Sequence, residues 1–110
     1  MKNFIAPGEH VTVAAPADVT SGDGVLVGDL FGVSQSTVLS GADVVLVRRG
    51  VFTLPKLSAQ AWTVGAKVYW DNANSRCTTV ATGNKLIGCA ESAAADPSDD
   101  GRVLLDGAIR

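Results

Sequence analysis

The sequence predicts an all-β protein, a small single-domain β-barrel or β-sandwich of about seven to eight short strands with an N-terminal extended arm. Three observations predict it. Glycines divide the chain into pieces of about five to ten residues, too short for most helices. The pieces are rich in Val and Thr, and many alternate apolar with polar residues, the period of a half-buried strand. No stretch carries the 3.6-residue periodicity of an amphipathic helix. The number of runs favours a small, partly open barrel.

Residues 1–8 form the arm and residues 9–110 the single β domain. The run 10–15 alternates, with Val11, Val13 and Ala15 on one face and His10, Thr12 and Ala14 on the other. Runs 24–28 and 30–34 follow, divided at Asp29 by a tight turn. Run 43–48 is apolar on both faces through Val44, Val45, Leu46 and Val47, so it predicts a central strand or one facing a neighbouring subunit. Run 51–54 closes at Pro55, which cannot donate to a ladder. Runs 66–70 and 76–80 flank Asp71-Asn72-Ala73-Asn74-Ser75, a hairpin signal because Asn and Asp tolerate left-handed backbone. Run 85–91 is expected to pair with 76–80 across the turn at 81–84, and 101–105 is the last strand. Residues 92–100 form an exposed acidic loop, where Pro97 stops any helix from growing.

Composition excludes several functions. With 110 residues the chain suits one domain, which can bury about two-thirds of its unfolded surface. Nine Lys and Arg against eleven Asp and Glu give a net charge of -2, which argues against a nucleic-acid binder held by phosphate contacts. One His and two Cys nearly exclude a four-ligand zinc site, and no cofactor is expected. Pro7-Gly8 interrupts the N-terminal stretch before a signal sequence can form, and no run reaches the roughly 18 apolar residues that span a bilayer. Synthesis in the cytoplasm of the producing cell, with reduced thiols, is the expectation.

Chemical tools are scarce. His10 lies on the polar face of an early strand, beside Glu9 and away from any nucleophile motif. Gly22-Asp23-Gly24 with Gly28 fails the dinucleotide spacing, and no helix follows to receive a phosphate. Asp96, Asp99 and Asp100 lack the spacing of a calcium loop. No catalytic residue is therefore assigned, and a small hydrolase is disfavoured. Arg48-Arg49 reads as protection of a strand end or as a salt bridge to a partner.

Cys77 and Cys89 invite a geometric test. If their strands pair symmetrically about Gly83, the two residues face one another with Cβ atoms roughly 4.5–5.5 Å apart. That makes a cross-strand thiol pair, slightly too wide for a good disulfide. Among the aromatics, Trp62, Tyr69 and Trp70 could form a stacking platform for a carbohydrate or host surface. Neighbouring Tyr69 and Trp70 point to opposite faces, which weakens it. Phe4 and Ile5 are apolar residues in a terminal tail with nothing local to pack on. Such a tail either adds a strand to its own sheet or lies on another protein.

Met1-Lys2-Asn3-Phe4-Ile5 with Pro7-Gly8, then Val11-Thr12-Val13 and Ala15-Pro16, resembles the start of the small capsid cement (head decoration) proteins of tailed bacteriophages and prophages. The similarity runs on through Val19-Thr20-Ser21-Gly22-Asp23, Val25-Leu26-Val27-Gly28 and Leu30-Phe31-Gly32-Val33. It is sharpest in Arg49-Gly50-Val51-Phe52, Leu54-Pro55-Lys56, Trp62, Gly65 and Lys67-Val68-Tyr69-Trp70-Asp71. Ile87-Gly88 with Ala90, and Gly101-Arg102-Val103 with Leu105, complete it. The cysteines and the acidic loop lie outside it.

The resemblance implies a β-rich, non-enzymatic structural protein of the virion. Such a protein attaches to the outer capsid surface and clamps neighbouring subunits of the phage major capsid protein. It also implies a homo-oligomer, most often a trimer at local three-fold positions, with a dimer as the alternative. On that reading Phe4 and Ile5 are the capsid-binding residues of the arm. Val44, Val45, Leu46 and Val47 are expected at the subunit interface.

Overall fold

The computed structural model describes residues 2–109, and every regular element in them is a β-strand. There are nine: β1 (His10–Ala14), β2 (Gly24–Val27), β3 (Leu30–Ser34), β4 (Asp43–Val47), β5 (Arg49–Pro55), β6 (Lys67–Asp71), β7 (Arg76–Thr78), β8 (Lys85–Ala90) and β9 (Asp100–Asp106). They form two antiparallel sheets, ordered β1-β4-β3-β2 and β5-β9-β8-β6-β7. Of the expected barrel or sandwich, the two sheets stay separate and do not close into a barrel, with β4 and β5 passing into different sheets on either side of Arg48.

In the first sheet, β2 and β3 close a hairpin over Gly28-Asp29, with Val27 opposite Leu30. Alternation along β4 separates its four apolar residues. Val44 and Leu46 are buried with Ala15, Val19 and Val25, beneath two loops joined by a bridge between Val19 and Val38. Val45 and Val47 are half-buried on the other face and belong to neither core cluster. The interface expectation is corrected for Val44 and Leu46, whose surface is already used inside the chain. It narrows to Val45 and Val47.

The second sheet carries the larger core. Leu54, Val68, Cys77 and Val103 are wholly buried there, together with Trp62, Trp70, Ile87, Ala90 and Leu105. Each fully buried apolar side chain of this size stabilises the fold by about 1.5–3 kcal/mol. Strand β9 shows the expected alternation, with Gly101, Val103 and Leu105 inward and Arg102, Leu104 and Asp106 outward. From the first sheet, Phe31 and Val33 join the same core, and the Phe31 and Trp70 rings meet at 5.1 Å, tilted by 50°. That aromatic contact fastens one sheet to the other.

The β6–β7 hairpin forms as the sequence indicates, with Asp71 opposite Arg76. The Asp71 carboxylate accepts the Asn74 side-chain amide at 2.7 Å, which holds its pKa below the usual carboxylate value. The expected pairing of β7 with β8 does not occur. Strand β6 lies between them, so Cys77 faces Trp70 while Cys89 faces Lys67. This corrects the cross-strand thiol pair.

The β6–β8 pairing also carries a register shift between Val68 and Tyr69, which leaves Ile87 as the extra residue on β8. Burial along β8 then falls on Ile87 and Ala90, three apart rather than two, and Cys89 turns outward. Gly88 makes this pairing sterically feasible: a Cβ there would lie 1.9 Å from the Leu104 carbonyl oxygen.

Candidate functional site

The two sheets leave the chain's first residues outside. Residues 2–9 belong to no strand, so the arm adds nothing to its own sheet. Phe4 is 59% exposed and Ile5 91% exposed. Of the two fates open to an apolar tail, pairing as a further strand of its own sheet does not occur among the described residues.

The arm is free at its tip and fixed at its root. The Glu9 carbonyl accepts the Arg48 backbone N–H at 2.9 Å, and the Gly8 carbonyl accepts Arg48 Nη1 at 2.6 Å. Arg48 Nη2 donates to the carbonyl of Gly107, just past β9. Arg49 pairs with Glu9 at 3.5 Å, both side chains being exposed, so this contact adds little stability. Arg48 is thus turned to its own chain rather than to a partner's acidic surface. Sequence reasoning missed this role, because nothing local shows that the N-terminal arm and the end of β9 converge on the β4–β5 connection.

A second apolar feature lies on the outer face of the larger sheet. Val51 of β5 and Leu104 of β9 are cross-strand partners, 45% and 42% exposed. Cys89 stands next in the same row, followed by Lys67. Cys77 and Cys89 are both free thiols. Burial pushes the Cys77 thiol up to about 12, which removes it from chemistry near neutral pH.

The aromatic platform is corrected. Trp62 and Trp70 are each only 2% exposed, and Tyr69 is half-buried. Trp62 packs its ring over Gly101 and bridges to Ala94, while Lys56 Nζ sits 5.8 Å from the ring centroid. The same ammonium donates to the carbonyls of Leu57 at 2.9 Å and Ser98 at 3.2 Å. Lys56 and Trp62 therefore hold the acidic loop onto the body. Trp70 Nε1 donates to Asn72 Oδ1 at 3.0 Å. The indoles are packing residues, with no face left for a sugar.

His10 is exposed at the start of β1, opposite Val47. Among the described residues no group of three or more His, Cys, Asp or Glu side chains could hold a metal ion. What the surface offers is an anchored apolar arm.

A family profile of phage cement proteins matches residues 5–105, nearly the whole chain. The chain belongs to the phage cement protein family. No curated protein and no solved structure matches it. A cement protein has a structural, capsid-associated role, and its location is the virion capsid. In this cement protein the matched region contains Arg48 and both sheets except Asp106, the last residue of β9, while Phe4 also falls outside it.

Proposed function

We propose that this cement protein binds the outside of an assembled phage head and stabilises the capsid lattice, with the phage major capsid protein as its partner. It acts as a homo-oligomer, a trimer in the first instance with a dimer as the alternative. It performs no catalysis and contacts neither nucleic acid nor membrane. It is made in the host cytoplasm and ends on the outer capsid surface.

The observation that carries this reading is the arm, with two large apolar side chains outside every strand and a root tied to the body. Burying Phe4 and Ile5 on a coat subunit contributes about 3–5 kcal/mol per arm before the cost of ordering the tail. An oligomer engaging several coat subunits together multiplies the effect through effective concentration. Val45 and Val47 are the residues of β4 available for a subunit interface, and Val45→Asp is expected to disrupt the oligomer in sedimentation equilibrium. Retention of the parent oligomer would remove that assignment.

Co-sedimentation with expanded heads of the same phage lacking this protein tests the function, with free coat subunits as control. Saturable binding to heads alone is expected. Absence of binding across a range of salt concentrations would overturn the reading. The host-surface or carbohydrate alternative has lost its stacking platform to burial of Trp62 and Trp70.

A further inference from the structure

We propose that Arg48 is the positioning residue of the docking surface, and that the C-terminal tail is that surface's second element. This rests on the capsid-binding reading above. One guanidinium donates to two main-chain carbonyls 99 positions apart in sequence, those of Gly8 and Gly107. The two oxygens consequently lie no more than about 7 Å apart, and the segments before Gly8 and after Gly107 leave the body from one post.

Both roots are built for a sharp departure. Gly8 has φ 83 and Gly107 has φ 70, a region that side-chain-bearing residues seldom adopt. A Cβ at Gly107 would also lie 2.8 Å from Arg49 Cγ. Beyond the roots each segment carries exposed apolar side chains: Phe4 and Ile5 on one, Ile109, 58% exposed, on the other. At the reach of an extended chain, Ile5 lies within about 11 Å of Gly8 and Ile109 within about 7 Å of Gly107. The two segments on one post present a composite apolar contact of Phe4, Ile5 and Ile109.

Arginine suits the post better than lysine. Its planar fork donates in two fixed directions, whereas an ammonium is a single point donor on a flexible stem. Breaking the fork loosens both roots at once while the Arg48 backbone N–H still holds Glu9, and fixing Gly8 and Gly107 on the capsid then costs entropy that the intact protein has already given up in folding. Arg48 makes no contact with the capsid in this scheme. Its effect passes through Gly8 and Gly107.

The test combines tail dynamics in the free protein with head binding. Isoleucine-methyl NMR relaxation should show Ile5 and Ile109 gaining mobility together in Arg48→Ala, with core methyls such as Ile87 unchanged. Binding to expanded heads should weaken at least tenfold. Arg48→Lys should keep the fold and recover only part of the binding, which guards against misfolding of the alanine variant. Ile109→Ser should weaken binding severalfold while Arg48 and the arm remain intact.

Tails that gain no mobility in Arg48→Ala, or wild-type binding by either Arg48→Ala or Ile109→Ser, would overturn the inference while leaving the capsid-binding function standing. Failure of the wild-type chain itself to bind heads would remove that function and the docking role together.

Discussion

The inter-sheet core and the N-terminal arm are built from the same kind of residue and do opposite things with it. Leu54, Val68 and Val103 are wholly buried between paired strands, while Phe4 and Ile5 stand in solvent a few residues before β1. Inside, each apolar side chain has neighbours supplied by residues distant in sequence, so its contribution is spent on the fold. On the arm Phe4 and Ile5 keep most of their surface outside either core cluster, so they add little to the fold. Apolar residues in one small protein can thus be sorted by whether their removal affects melting or binding.

The largest effects are expected in the core. Gly88→Ala introduces a Cβ that would meet the Leu104 carbonyl at 1.9 Å. Separation of β8 from β9 is the only relief, and a loss of about 3 kcal/mol or more is expected in urea denaturation. A midpoint equal to wild type would mean that the two strands do not approach as described. Next in size, Leu54→Ala empties a fully buried site and should destabilise the protein by about 2–5 kcal/mol.

Cys77 gives a pH test of the same core. Its thiol stays protonated in the folded chain up to about pH 12, whereas an ordinary thiol ionises near pH 9. Between these values the unfolded chain has released the proton and the folded chain has not, so stability declines as pH rises through that window. Below pH 9 the contribution is fully present. Denaturation midpoints at pH 8 and 10.5 should therefore differ more in wild type than in Cys77→Ala. At pH 8 a thiol reagent should modify half-exposed Cys89 well before buried Cys77. Equal rates would contradict the burial.

The smallest effect on stability is expected at the arm. Deleting residues 2–7 should move the melting temperature by no more than about 2 °C, because such exposed residues support little of the fold. The same deletion should abolish head binding. A large fall in melting temperature would show that the arm belongs to the body after all and would dissolve the contrast.

Alternation and turn chemistry made most strands legible. The Val11/Val13 face, the Asp71 to Ser75 hairpin loop and the stop at Pro55 depend on neighbours in sequence, and local rules reach that far. The pairing of β8 was beyond them, since symmetry about Gly83 pointed to β7. Gly88 in mid-strand was the available sign of a bulge or of a close backbone approach. At the site, Phe4 and Ile5 stood out because a tail offers nothing local to pack on. Arg48 gave no comparable sign, since its two acceptors are brought to it only by the completed sheets.

The sequence by itself determined the β class, the strand runs, the exposed apolar arm and the family resemblance, because each follows from residue order and side-chain period. Only the tertiary structure decided which strands are neighbours, that Trp62 and Trp70 are buried, that Cys89 turns away from Cys77 and that Arg48 gathers both ends of the chain. Those depend on how two sheets share one core, where a shift of a single residue reverses the face of every side chain that follows.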